Sequence, residues 1–118
     1  MIAELSKEHL PTILQMVENQ SNEEKEWNSH ITPNWLSDEV ERAQSLGLFK
    51  GEALVAFIFY RRLPEAIEIS FLMVDLGQRR RGLMKKLVDE LLALYPKEAI
   101  WLEVHEVLER VLGPGTWN

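Results

Sequence analysis

The chain reads as a single α/β (α+β) domain with a mixed central sheet and helices on both faces. Three observations predict this. Apolar residues recur at helical spacing in the first forty-odd positions and at strand spacing from Leu48 onward. Ala66–Val74 and Ala99–Val104 are nearly continuous apolar runs, as expected of strands buried on both faces. Between them lies an amphipathic helical segment, so the two strands should be parallel and joined by a right-handed crossover. At 118 residues, the whole span 1–118 is expected to form one domain.

The elements follow in order. Ser6 is placed to cap a first helix, in which Leu10, Ile13, Leu14 and Val17 share one face. Polar residues from Asn19 to Glu26 end it. A second helix is expected to start near Ser37-Asp38-Glu39 and to stop at Gly47, with Trp27, His30 and Trp35 in the irregular connection. Leu48–Lys50 and Ala53–Tyr60 flank Gly51-Glu52, a hairpin signal. Arg61–Glu65 forms the next turn, and Ala66–Val74 is a strand near the middle of the sheet. Leu83, Met84, Leu87, Val88, Leu91 and Tyr95 line one side of a helix that Pro96 stops. Ala99–Val104 is the fifth strand, and Val107–Leu112 is a short helix before Gly113-Pro114-Gly115.

Bulk composition excludes several function classes. Apolar content is 46% and charged content 27%, ordinary for a globular protein. No apolar run approaches the ~20 residues that span a bilayer, and no secretory signal is visible, so no membrane partner is expected. With no cysteine, disulfides, thiolate metal sites and cysteine nucleophiles are excluded, and the cytoplasm is the default location. No His/Asp/Glu cluster has metal-ligand spacing, so no metal is expected. The net charge of −6 argues against nucleic acid as a partner and favours a cationic one.

Against that acidic background, Arg79-Arg80-Arg81-Gly82-Leu83-Met84-Lys85-Lys86 is a local basic cluster. It lies where a strand turns into a helix. A helix N-terminus already carries partial positive charge, so cations there repel the free N–H groups unless an anion sits between them. The segment is therefore a candidate phosphate site. A solvated basic loop is the plainer alternative.

These residues resemble the GNAT superfamily of N-acetyltransferases. Its fingerprint, [Gln/Arg]-x-x-Gly-x-[Gly/Ala], corresponds to Arg79-Arg80-Arg81-Gly82-Leu83-Met84, with methionine in the place of the last small residue. Glu68-Ile-Ser-Phe-Leu-Met-Val74 is similar to the fourth strand of histone acetyltransferases. Trp101-Leu-Glu-Val104 resembles the fifth strand of RimI-like enzymes. The resemblance covers roughly residues 1–105; the family's acid tyrosine and last two strands have no counterpart, so the domain looks C-terminally shortened.

The resemblance implies transfer of an acetyl group from acetyl-CoA to a primary amine by direct attack. By the same resemblance the acceptor would be a protein N-terminus, a lysine or a small amine. Amides of Arg79, Arg80, Arg81, Gly82, Leu83 and Met84 would hold the diphosphate, with guanidinium groups and Lys85 adding charge. Backbone groups of Phe71, Leu72, Met73 and Val74 would bind pantetheine, and one N–H would stabilise the oxyanion by roughly 3 kcal/mol. Glu68 and Glu103 match carboxylates that serve as general base in relatives, and burial in apolar strands would raise their pKa values. Tyr60 and Tyr95 are the available phenols. A catalytically weak acyl-CoA-binding regulatory module is the alternative. Without later strands, Ala99–Val104 would be an edge, to be covered by Val107–Asn118 or paired in a homodimer.

Overall fold

The structure is a computed structural model. It describes residues 1–102, excepting the side chains of Trp27, Ala99, Trp101 and Leu102. The expectations for Glu103, Val104 and the 107–118 segment, including the cover over the fifth strand, lie outside the described residues.

The chain starts with β1 (Ile2–Ala3), which pairs with the strand of the later hairpin rather than preceding a helix directly. A 3-10 turn at Lys7–His9 follows, with the Ser6 amide donating to His9 Nδ1 at 3.0 Å. Then come α1 (Leu10–Glu18), α2 (Asn22–Trp27) and α3 (Pro33–Arg42). Strands β2 (Gln44–Lys50), β3 (Ala53–Arg62) and β4 (Ala66–Val74) form an antiparallel meander. A 3-10 turn at Leu76–Gln78 leads to α4 (Leu83–Leu94), and β5 (Ala99–Leu102) pairs parallel to β4. The sheet order is β1-β2-β3-β4-β5.

The mixed sheet, the hairpin at Gly51 (φ +62), the parallel β4–β5 pair and the helix from Leu83 match the sequence reading. Several elements differ. β1 and α2 stand where no element was expected, Trp27 and Trp35 lie in helices instead of an irregular connection, and Arg61 and Arg62 extend β3 instead of opening a turn. The second expected helix begins at Pro33, not near Ser37, because Thr32 caps it: its hydroxyl accepts from the Trp35 amide at 3.1 Å. It ends at Arg42, and Gly47 lies inside β2 instead of stopping the helix. A Cβ on Gly47 would stand 2.5 Å from Leu5 Cδ2 and 3.0 Å from Leu54 Cδ1. This glycine permits a close approach in the core, which is its other common use in a strand.

The sheet separates two apolar layers. On one face α4 packs Leu83, Met84, Leu87 and Leu91 against Ile58, Ile67, Ile69 and Leu72. On the other, α1 and α3 pack Ile13, Met16, Leu36 and Val40 against Phe57, Phe59, Phe71 and Met73. Side chains of a regular strand alternate faces, yet Ile67 and Ile69 lie on the α4 side while Phe71 and Met73 lie on the other. A β-bulge explains the switch. Phe59 pairs with Phe71 and Tyr60 with Ile69, so Ser70 is the extra residue.

Candidate functional site

The site is built at the C-terminal end of β4. Pairing of β4 with β5 covers Ala66–Ile69, against Ala99–Leu102. Beyond it, from Ser70 to Val74, the flank of β4 on that side has no strand partner among the described residues. Phe71, Leu72, Met73 and Val74 therefore combine buried side chains with backbone that has no strand partner on that side among the described residues. That is the geometry an extended ligand needs to add itself to a sheet.

Val74 runs into the basic turn. Two residues there have left-handed backbone, Arg80 (φ +65) and Gly82 (φ +73). Successive turns of this kind aim neighbouring N–H groups into one concavity. The first helical bond of α4 is from the Lys86 amide to the Gly82 carbonyl at 3.1 Å. The amides of Arg80, Gly82, Leu83, Met84 and Lys85 donate to no acceptor among the described residues, while those of Arg79 and Arg81 close the 3-10 turn and the turn after it. Leu83, Met84 and Lys85 carry the ordinary unpaired amides of a helix start, but Arg80 and Gly82 add two more before it. A Cβ built on Gly82 meets nothing within 4 Å, so open space lies beside it. The residues present fit a diphosphate: unpaired donors, room for close approach, and cations around them.

The cations divide into two groups. Arg79 is spoken for: its Nη1 and Nη2 donate to Glu24 of α2 at 2.5 and 2.7 Å, and its Nε to the Val74 carbonyl at 3.1 Å. Lys85 pairs with Asp89 at 2.7 Å. Arg81 donates to the neutral amide of Gln78 at 3.3 Å, and Lys50 Nζ reaches the same oxygen at 2.9 Å. Arg80, Arg81 and Lys86 have no carboxylate partner among the described residues.

Glu68 is half-buried on β4, opposite Arg61 of β3 and beside Trp101 of β5 in register. It precedes the bulge, so it shares the α1–α3 face with Arg61. Arg61 is not its salt-bridge partner there. The guanidinium pairs instead with Glu39 of α3, whose side chain is 3% exposed. Ser70 Oγ also donates to Glu39, at 2.7 Å. Glu39 thus ties α3 to the bulge and to β3 from beneath. Trp35, one turn earlier on α3, meets Phe71 edge-on at 6.1 Å between ring centroids, with His30 outside it at 6.4 Å.

Sequence reasoning missed three of these groups. Glu24 carried a signal: Ser21-Asn-Glu-Glu24 has capping-box spacing, and the Ser21 hydroxyl does accept from the Glu24 amide at 3.2 Å. Glu39 and Ser70 carried none, because a buried carboxylate on a mostly polar helix looks like its exposed neighbours. The two phenols are on the far side. Tyr60 lies in the α4-side layer and its hydroxyl meets that of Tyr95 at 3.3 Å. Burial, and then that hydrogen bond, push the Tyr60 phenol well above its usual range. The Tyr95 ring sits beneath Arg62, 4.6 Å from its guanidinium carbon.

Comparison with known proteins matches the geometry. The family model described as acetyltransferase (GNAT) family matches residues 10–112. A ribosomal-protein-alanine N-acetyltransferase from Brucella melitensis biovar Abortus 2308 superposes with a TM-score of 0.72 at 19% identity, over 93% of this chain and 83% of that one. The PaiA N-acetyltransferase of Thermoplasma acidophilum, solved in complex with coenzyme A, gives 0.70 at 21% identity, over 90% and 80%. An aminoglycoside acetyltransferase from an uncultured soil metagenomic sample, in complex with sisomicin, gives 0.68 at 16%, over 100% and 87%. No curated protein sequence matches. With its fold, its strand–turn–helix cradle and a family match over most of its length, the chain belongs to the acetyltransferase (GNAT) family.

Proposed function

We propose that this protein transfers an acetyl group from acetyl-CoA to a primary amine. The observation that carries the reading is the set of amides at Arg80 and Gly82–Lys85 with no acceptor among the described residues, beside the space at Gly82 where an added Cβ meets none of their atoms. Coenzyme A brings a diphosphate, which such a cradle holds through charge-assisted hydrogen bonds. Arg80, Arg81 and Lys86 surround it with positive charge that no carboxylate among the described residues neutralises. Pantetheine lies along Phe71–Val74, where β4 has no strand partner on that flank among the described residues, and a backbone N–H there polarises the thioester carbonyl.

In the transfer, the amine nitrogen forms a bond to the acetyl carbon and the carbon–sulfur bond breaks. The ammonium form of the acceptor gives up one proton before the attack and a second once its nitrogen is bonded to carbon; one of the two ends on the departing thiolate, giving the free thiol, and the other passes to solvent. Glu68 is the proposed base, acting directly or through a water, from its half-buried position just before the bulge. Arg61 and the Glu39 carboxylate frame the same face, so the proton acceptor sits at the border of a polar cluster. Glu103, the second proposed base, lies outside the described residues. The net charge of −6 supports a cationic acceptor: a protein N-terminus, a lysine or a small amine. The relatives named above include enzymes for ribosomal-protein alanine and for aminoglycosides, and these span that range.

The test combines a thermal-shift scan with a transfer assay. At acetyl-CoA concentrations of 100 times its dissociation constant, stability should rise by about 2.7 kcal/mol. An amine panel should then yield free thiol in step with acetylated product. Saturable binding without turnover on any amine would replace the enzyme reading with that of an acyl-CoA-binding regulatory module. No stabilisation at millimolar acetyl-CoA would remove both.

A further inference from the structure

The Arg79–Glu24 pair links two parts of the molecule that the proposed chemistry treats separately. Glu24 belongs to α2, on the segment between α1 and α3. Arg79 opens the phosphate turn. The contact is a two-pronged fork, with side-chain exposures of 25% for Arg79 and 12% for Glu24. The remaining guanidinium nitrogen, Nε, bonds the Val74 carbonyl at the end of β4. Each nitrogen of the Arg79 head thus makes one hydrogen bond within the protein, which fixes the plane of the guanidinium and leaves one further N–H on each of Nη1 and Nη2. Glu24 is itself held: the Ser21 hydroxyl reaches Glu24 Oε1 at 3.2 Å, and Lys25 ties α2 back to Glu18 of α1 at 3.2 Å.

The fork stands directly before a strained residue. Arg80 is a non-glycine residue with φ +65, a conformation that costs free energy and persists only where its surroundings enforce it. The fork fixes its predecessor, and the buried Leu83 and Met84 fix the start of α4 beyond it. Between these two anchors the amides have little freedom to turn away from one another.

We propose that Glu24 is a positioning residue for the phosphate turn, acting through Arg79 to hold the amides of residues 80–85 convergent in the free protein. This rests on the acetyl-CoA reading above. Arg79 is then a strut and not a phosphate ligand; its contribution to donor binding is preorganisation. The alternative is competition, in which an arriving diphosphate draws Arg79 away from Glu24. The two differ in sign. If Glu24 is a strut, removing its charge weakens donor binding. If it competes, removing its charge strengthens binding.

Titration calorimetry with acetyl-CoA on the wild type, Glu24→Gln and Arg79→Lys decides between them, with folding of each variant checked by its amide NMR spectrum. Both variants should bind about tenfold more weakly, since each loses the charged fork while keeping similar size. With a turned-over amine, the KM of Glu24→Gln for acetyl-CoA should rise by a similar factor while its kcat at saturating donor stays within about twofold, a split that general loss of folded protein would not give. Unchanged or tighter binding by Glu24→Gln overturns the proposal, and so does full affinity in Arg79→Lys. Failure of the wild type to bind acetyl-CoA instead defeats the functional reading beneath it.

Discussion

Replacing Arg61 by methionine is expected to destabilise the domain by about 3–5 kcal/mol, far more than replacing its partner Glu39 by glutamine. The asymmetry comes from burial. The Arg61 side chain is 41% exposed, that of Glu39 3%. Without Arg61, a carboxylate stays inside the α1–α3 layer with the Ser70 hydroxyl as its remaining hydrogen-bond partner among the described residues. A buried charge left without its counter-ion carries the full desolvation cost. Without the Glu39 charge, Arg61 can turn to water, and a glutamine keeps its link to Ser70. That change should cost about 1 kcal/mol, the net worth of an ordinary hydrogen bond. Against a typical total stability of roughly 5–15 kcal/mol, the first loss should be obvious and the second small. Urea unfolding of the two variants reads the difference. Equal losses would mean that the pair acts as a surface ion pair and does not anchor the bulge.

The second large effect concerns binding more than folding. Gly82→Val should lower stability by about 1–3 kcal/mol, because a β-branched residue at φ +73 is strained wherever it sits. At the Cβ itself no clash adds to that cost, since an added Cβ meets nothing within 4 Å among the described residues. The same open space is where the proposed diphosphate approaches the main chain. Losing one or two charge-assisted hydrogen bonds, at roughly 1.5–3 kcal/mol each, corresponds to a loss of acetyl-CoA affinity between about tenfold and about twenty-thousandfold. Calorimetry on the folded variant checks it. Strain without loss of affinity would show that the open space at Gly82 is not part of the donor site.

The parts of the fold legible in the sequence are those where one physical signal dominates. Ala66–Val74 and Leu83–Leu94 are apolar in patterns that admit one element each, and Gly51-Glu52 supplies the backbone freedom a two-residue hairpin loop needs. The region 19–47 is less legible because its signals compete. Asn22–Trp27 is a short polar helix with little periodicity, made by its Ser21 cap and by the Arg79 fork rather than by an apolar stripe. Gly47 looks like a helix stop by composition, and its real reason is a contact with Leu5 some forty positions away in sequence. Long-range contacts of this kind leave no local trace.

The candidate site divides in the same way. The strand, the basic turn and Gly82 are visible because the chemistry needs backbone freedom and charge at fixed spacing. That Arg79 faces Glu24, and that Glu39 holds Ser70, depends on where α2 and α3 land on the sheet. The sequence treats the basic residues of the turn as equals. The fold commits Arg79 and Lys85 to carboxylates and leaves Arg80, Arg81 and Lys86 without one among the described residues.

A titration of the isotope-labelled protein with acetyl-CoA, followed amide by amide in NMR spectra, addresses the phosphate cradle itself. The backbone N–H signals of residues 79–85 should move together and saturate at one concentration, with those of Phe71–Val74 following in the same transition. Saturable binding that shifts other regions and leaves 79–85 unmoved would contradict the account.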